Sequence, residues 1–173
     1  MTIGASMKHD KSLEQRLQQL EDRQAILELK HRYLNACDEK QTEIVTACFI
    51  AGEVDINFGH IGQFSTREAF VDVFKELGCH DHIVDMHHAQ NPIFLDISER
   101  HAKAKINLRF QSINTQDKSH VQLGGYYLDS FEKQSDGQWL ISKSAFIVNS
   151  VKITDFSGDC SKVVYSGNAM PAQ

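Results

Sequence analysis

Proline is nearly missing from this chain, with two in 173 residues, and tryptophan occurs once. No low-complexity stretch or internal repeat marks a linker, so the length suits one domain of the usual ~100–200 residues. No apolar run approaches the roughly 20 residues that span a membrane. Lysine and arginine are scattered among acids with no basic block, and the formal net charge is -5. That excludes the electrostatic footprint of a nucleic-acid binder. The four cysteines, Cys37, Cys48, Cys79 and Cys160, show neither metal-site nor redox spacing. A domain of this size does not need disulfides. Met1–Lys11 lacks the apolar stretch of a signal peptide. These absences lead to the expectation of a cytoplasmic, slightly acidic domain with one core and no membrane or nucleic-acid partner.

What is present begins with helix. Leu13, Leu17 and Leu20 form one apolar stripe, and Ile26, Leu29, Tyr33, Ala36 and Cys37 form a second at helical spacing. The stripe changes face near Glu21-Asp22, which predicts two helices or a bend, with Asp22 as an N-cap. Ile44–Ile50 reads as a further short helix, and Val54, Ile56 and Phe58 alternate as a short strand followed by a loop. Ser65-Thr66-Arg67-Glu68 has the form of a capping box. The apolar stripe after it predicts a helix over Ser65–Leu77 that stops at Gly78. Strands follow. His101–Gln111 alternates cleanly, with Ala102, Ala104, Ile106, Leu108 and Phe110 on one face. Val121, Leu123, Gly125, Tyr127, Asp129 and Phe131 share the inward parity of the next strand. Gly124-Gly125 within that strand suggests a bulge or a close approach. Ser135-Asp136-Gly137 is a hairpin turn, and Gln138–Val148 is the last long strand. Helices first and long antiparallel strands afterwards argue α+β, with the helices covering the apolar face of a curved sheet.

The segment Ile83–Ile97 carries the most informative residue. His87 shares its parity with Ile83, Ala89, Ile93, Leu95 and Ile97, while His88, Gln90, Phe94 and Asp96 fall on the other face. An imidazole among aliphatic side chains is either a hydrogen-bonded core residue or a proton-transfer group in a pocket. A bulge near Pro92 would reverse the register, because a one-residue slip turns every side chain to the other face. Tyr33 on the helix stripe is either core or a hydroxyl facing a cavity. Asp38 just after it is either a solvated turn residue or the carboxylate that orients an imidazole.

Helix-borne Tyr33-x4-Asp38, the strand His87-His88-x2-Asn91-Pro92-Ile93, and Gly125-Tyr126-Tyr127-Leu128-Asp129 ahead of Gly137-x-Trp139-x-Ile141 resemble one family. They look like the SnoaL-like proteins of the nuclear transport factor 2-like superfamily, alongside scytalone dehydratase and bile acid 7α-dehydratase. The likeness covers roughly Leu13–Val151. It implies a curved, mixed but mostly antiparallel sheet wrapped around N-terminal helices, forming a cone-shaped cavity (a cystatin-like α+β barrel). It also implies a homodimer. In the dehydratase members a helix tyrosine, an aspartate just after it and a strand histidine line the cavity, and Tyr33, Asp38 and His87 are the matching positions. Those members carry a further histidine or aspartate on the next strand. Here Phe110 and Ser112 stand in that region, and Asp129, by its own parity, is the candidate replacement.

On this reading residues 1–10 form a flexible N-terminus, 11–152 the SnoaL-like domain and 153–173 a tail. The expected function is a cofactor-free lyase (dehydratase) or isomerase acting by general acid/base chemistry on a small cyclic, largely apolar ligand. Tyr33, Asp38 and His87 would be catalytic, and Phe58, Phe110, Tyr127 and Asp129 would contact substrate, with Ile93 and Trp139 completing the wall. The alternatives are a binding module with the same cavity, or a structural subunit akin to the small subunit of ring-hydroxylating dioxygenases, since one fold hosts many roles. Cys79-His80-Asp81-His82 matches no familiar metal spacing. No phosphate loop, nucleophile elbow, flavin motif or nicotinamide motif is present, so no metal and no cofactor are expected.

Overall fold

Ser12 starts the fold. In the computed structural model, which describes residues 11–171, it caps helix α1 (Leu13–Asp38) with a reciprocal box. Its hydroxyl accepts from the Gln15 N–H at 3.2 Å, and the Gln15 side chain accepts from the Ser12 N–H at 3.0 Å. The segment 1–10, read above as flexible, lies outside the described residues.

The predicted break at Glu21-Asp22 is absent. Asp22 is no cap but a buried mid-helix carboxylate, accepting from the Trp139 indole N–H at 3.0 Å and from the Lys133 ammonium at 2.7 Å. These two bonds tie the helix to the hairpin between Lys133 and Trp139 and explain why an acid is tolerated there. One helix cannot bury two stripes on different faces. Ile26, Leu29, Tyr33 and Cys37 enter the core, and Leu13, Leu17 and Leu20 remain exposed.

Helix α2 (Thr42–Ala47), strand β1 (Glu53–Asn57), a 3-10 turn at Gly59–Ile61, strand β2 (Gln63–Thr66) and helix α3 (Arg67–Gly78) follow. The expected loop after Phe58 thus holds a second short strand, paired antiparallel with β1. Thr66, not Ser65, caps α3 by accepting from the Ala69 N–H at 3.2 Å, and Glu68 pairs instead with Arg67. Gly78 ends the helix as its position suggested.

Strands β3 (Ile83–Ile97), β4 (His101–Asn114), β5 (Ser119–Lys133), β6 (Trp139–Asp155) and β7 (Lys162–Gly167) complete a seven-stranded sheet in the order β2-β1-β6-β5-β4-β3, with β7 also on β6. The β1–β6 pairing is parallel and the other strand pairings are antiparallel. The sheet is curved and not closed, and the fold is α+β as expected. Residues read as a tail instead extend β6 to Asp155 and return along it as β7. Val163 and Val164 of β7 are both exposed, so no buried face imposed an alternating pattern there.

Alternation places the core. Ala102, Ala104, Ile106 and Leu108 of β4 are buried at every second position, and Leu123, Tyr127, Asp129 and Phe131 of β5 share one buried face, against Ile26, Leu29 and Leu34 of α1. On β3 the alternation slips twice. Gln90 faces Asn107 and Ile93 faces Lys105, so β3 carries one extra residue there, with Asn91 at φ 49°. A second extra residue falls between Phe94 and Asp96. Each bulge turns the following side chains over. Phe94 therefore packs inward, while Ile93 (57% exposed) and Leu95 (60%) face solvent, the reverse of the parity expectation. His87 lies before both bulges and keeps its face. In β5 the expected irregularity is a register shift between Gly124 and Gly125 against β6. A Cβ on Gly125 would meet the Ile147 carbonyl oxygen at 2.2 Å, which no side chain tolerates.

Candidate active site

The C-terminal half of α1, the length of α3 and the inner faces of β3, β4 and β5 enclose a cavity of about 290 Å³. Its wall is largely apolar, with Phe70 and Phe74 from α3, Leu108 and Phe110 from β4, and Phe146 from β6. Tyr33, Cys37, Asp85, His87, Ser112 and Tyr127 supply polar groups, and Met170 reaches the cavity from beyond β7.

Asp38 is the last residue of α1, and the helix end delivers it to β3. Its carboxylate holds His87 at two points. The His87 backbone N–H donates to Oδ2 at 3.0 Å, and the ring Nδ1 lies 2.6 Å from Oδ1. A carboxylate only accepts, so Nδ1 carries the hydrogen, and in the neutral ring Nε2 presents a lone pair. Both side chains are mostly shielded, and the His87 ring lies 4.5 Å from that of Phe110, its cross-strand partner. His88 is exposed on the opposite face.

Tyr33 is buried on the same cavity, with its ring edge-on to Phe49 at 5.5 Å. Tyr127 stands beside it, packed against Phe58 and Phe146. Burial pushes both phenols well above the ordinary tyrosine range, so each is a hydrogen-bond donor at working pH. Burial also pushes the Cys37 thiol up to about 12, against the opposing pull of Tyr33 and Lys30. A thiol so raised is not a nucleophile. Iodoacetamide at pH 8 is expected to alkylate exposed Cys160 first and to reach Cys37 and Cys48 only after denaturation, as read by intact mass and peptide mapping. Labelling of native Cys37 at the rate of Cys160 would show a reactive thiolate in the cavity.

Of the residues singled out in the sequence, Tyr33, Asp38 and His87 come together, and Phe58, Phe110 and Tyr127 line the same space. Asp129 points inward but not to the cavity. It is 2% exposed behind the tyrosines, accepts from the Ser144 hydroxyl at 2.7 Å and lies 2.9 Å from Lys30 Nζ. The ammonium approaches Oδ2 obliquely, so this contact is an ion pair rather than a directed hydrogen bond. Lys30 is fully buried and sits 3.3 Å from the Tyr127 ring centre and 4.9 Å from that of Tyr33. Trp139 is committed to Asp22, and Ile93 is turned outward, so neither forms the wall. His80 and His82 stack at 5.2 Å, with the His80 ring Nε2–H donating to the Glu76 carbonyl. Among the described residues no three metal-ligating side chains gather in one place.

Sequence reasoning missed Lys30 and Asp85. Lys30 lies four residues after Ile26 and three before Tyr33, a cation on the buried stripe. Asp85 shares the parity of His87 two residues earlier on β3, and that spacing alone placed it on the cavity face.

A curved sheet over an N-terminal helix, with a cavity at the helix end, defines a small-ligand-binding α+β fold. The chain belongs to the SnoaL-like domain family, whose model matches residues 18–145. No curated protein matches it in sequence. Among solved structures it is similar to a proposed scytalone dehydratase from Novosphingobium aromaticivorans, at 20% identity and a TM-score of 0.69 over 87% of this chain and 97% of that one. It is also similar to LinA, at 19% identity and a TM-score of 0.71 over 83% and 95% of the two chains. A hexachlorocyclohexane dehydrochlorinase, LinA-type3 from Novosphingobium barchaimii, aligns over 91% and 99% at 15% identity, with a TM-score of 0.69. At these identities the likeness establishes the fold. No described helix is long and apolar enough to cross a membrane.

Proposed function

We propose that the protein is a lyase or isomerase that works by general acid/base chemistry on a small, largely apolar ring. The observation that carries this reading is the two-point grip of Asp38 on His87 beside an apolar cavity. A core histidine needs one partner of any kind. Here a carboxylate fixes both the tautomer and the ring orientation, leaving the basic nitrogen toward the space a ligand would fill. His87 would take a proton from a carbon activated by an adjacent carbonyl or aromatic system. Asp38 would stabilise the imidazolium that forms. The Tyr33 hydroxyl, kept protonated by burial, would donate to the developing oxyanion or to the departing group. The relatives' names fit the same chemistry, since a dehydratase removes water and a dehydrochlorinase removes hydrogen chloride. A homodimer in the cytoplasm accompanies this reading.

The second reading, a binding module, uses the same cavity without turnover, and a proton-exchange experiment separates the two. A panel of cyclic ketones, with and without a β-hydroxyl, is incubated with protein in deuterated buffer and followed by NMR. Deuterium entry next to the carbonyl, or loss of the β-hydroxyl, is expected above the buffer rate. Ligands that bind without exchange or elimination would leave the binding module as the answer.

A further inference from the structure

Asp85 is the one carboxylate among the described residues lining the cavity, and the chemistry above does not employ it. It lies two residues before His87 on the same face of β3, and it lines the same cavity. Its Oδ1 is buried and has no hydrogen-bond partner. Buried carboxylate oxygens are costly without a donor, and among the described residues none supplies one here. Ser112 stands directly opposite on β4 and also lines the cavity, yet its hydroxyl does not bond to Asp85. Lys40 donates instead to the Gly78 carbonyl, and no ion pair to Asp85 forms among the described residues. The carboxylate is pressed against the end of α3, where a Cβ on Gly78 would lie 3.8 Å from Oδ2. A helix C-terminus adds partial negative charge of its own. The Lys40 ammonium at this helix end is taken by the Gly78 carbonyl, so Asp85 Oδ1 itself is left without a donor.

We propose that Asp85 is the specificity residue of this cavity, accepting a hydrogen bond from a hydroxyl or ammonium group carried by the ring substrate. Two residues along a strand separate it from His87 by roughly 6–7 Å. The favoured substrate therefore carries its donor across the ring from the carbon that gives up a proton to His87. The remaining wall near Asp85, with Leu77, Ile83 and Val121, is apolar and holds the ring without competing for the carboxylate. This assignment deepens the acid/base reading by naming a substrate class, but it requires only that the cavity hold a ring.

The test is binding without turnover. Dissociation constants are measured by calorimetry for 2-naphthol, protonated 2-aminotetralin and 2-methoxynaphthalene, the last lacking a donor. Wild-type protein is expected to prefer at least one donor-bearing ring by about tenfold or more over the methoxy compound, as for a hydrogen bond to a charged acceptor. Preference for the naphthol identifies a hydroxyl substrate, and preference for the amine a cationic one. Asp85→Leu is expected to abolish the preference, read as the ratio of the donor-bearing to the methoxy affinities. The isosteric Asp85→Asn, which keeps the shape if the leucine variant misfolds, is expected to weaken it. Equal affinity for all three rings in the wild type, or a preference that survives in Asp85→Leu, overturns the proposal. Turnover with no donor preference would sink the Asp85 assignment alone, and donor preference with no turnover would sink the acid/base reading alone.

Discussion

His87→Ala is expected to lower kcat/KM for elimination or isomerisation by about 10²–10⁴-fold, the usual contribution of a positioned general base. Affinity for a substrate analogue should change little, because the wall that holds the ring is built by other side chains. The fold should persist, since the imidazole is only partly enclosed and both of its bonds to Asp38 come from one local grip. Asp38→Asn is the sharper variant. An amide nitrogen facing Nδ1 would donate where the carboxylate accepted, driving the ring hydrogen to Nε2 and occupying the basic position. Its loss of rate should approach that of His87→Ala. The double variant should fall scarcely further, as groups acting as one unit are not additive.

Tyr33→Phe keeps the ring edge-on to Phe49 and removes one donor, so kcat should fall by about 10²–10³ with less change in KM. The pH profile adds a further check. A rate carried by a neutral imidazole declines as acid protonates it. Burial holds the Tyr33 phenol well above its ordinary range, so the donor should not be lost as pH rises toward 10. Turnover of His87→Ala at the wild-type rate would end the acid/base reading.

The parts of this molecule legible in its sequence share one property: a single buried face imposed the pattern. The β4 alternation, the stripe of α3 and the inward side of β5 were read correctly because each strand or helix has one wet side and one dry side. The same logic set His87 on the cavity face, and a tyrosine and an aspartate five residues apart at the end of α1 put Tyr33 on the same cavity and Asp38 against His87. The failures have physical causes too. Strand β7 buries little, so no alternation was written into it, while the Leu13, Leu17 and Leu20 stripe at the start of α1 is periodic yet stays exposed. The β3 bulges reversed Ile93, Phe94 and Leu95, since register depends on the partner strand, which local pattern does not contain. Asp22 looked like a cap because acids favour helix starts. Its actual partners, Lys133 and Trp139, lie more than a hundred residues away. Asp129 lies on the inward side but away from the cavity, because its partner Lys30, a cation on the buried stripe of α1, went unrecognised in the sequence.

That pair yields the largest expected effect on stability. Lys30→Met should destabilise the fold by about 3–5 kcal/mol, the usual cost of leaving one charge of a buried pair alone. Asp129 would keep only the Ser144 hydroxyl, at a position 2% exposed to solvent. The double variant Lys30→Met/Asp129→Leu should recover most of the loss. Burial pulls the Lys30 ammonium below the ordinary lysine range, and the Asp129 charge only partly opposes it. Well-packed apolar residues of similar volume often match or exceed such buried pairs. Urea unfolding with unchanged m-values would measure both shifts. A single variant as stable as wild type would mean that Asp129 is not held by Lys30 at all. The ammonium also underlies the cavity, at 3.3 Å from the Tyr127 ring and 4.9 Å from Tyr33. The rescued double variant should thus regain stability without regaining the full rate, since both tyrosines lose the cation against which they are set. Full recovery of both would confine the pair to a structural role. Stability restored with kcat still depressed would place it behind the site as a positioning device.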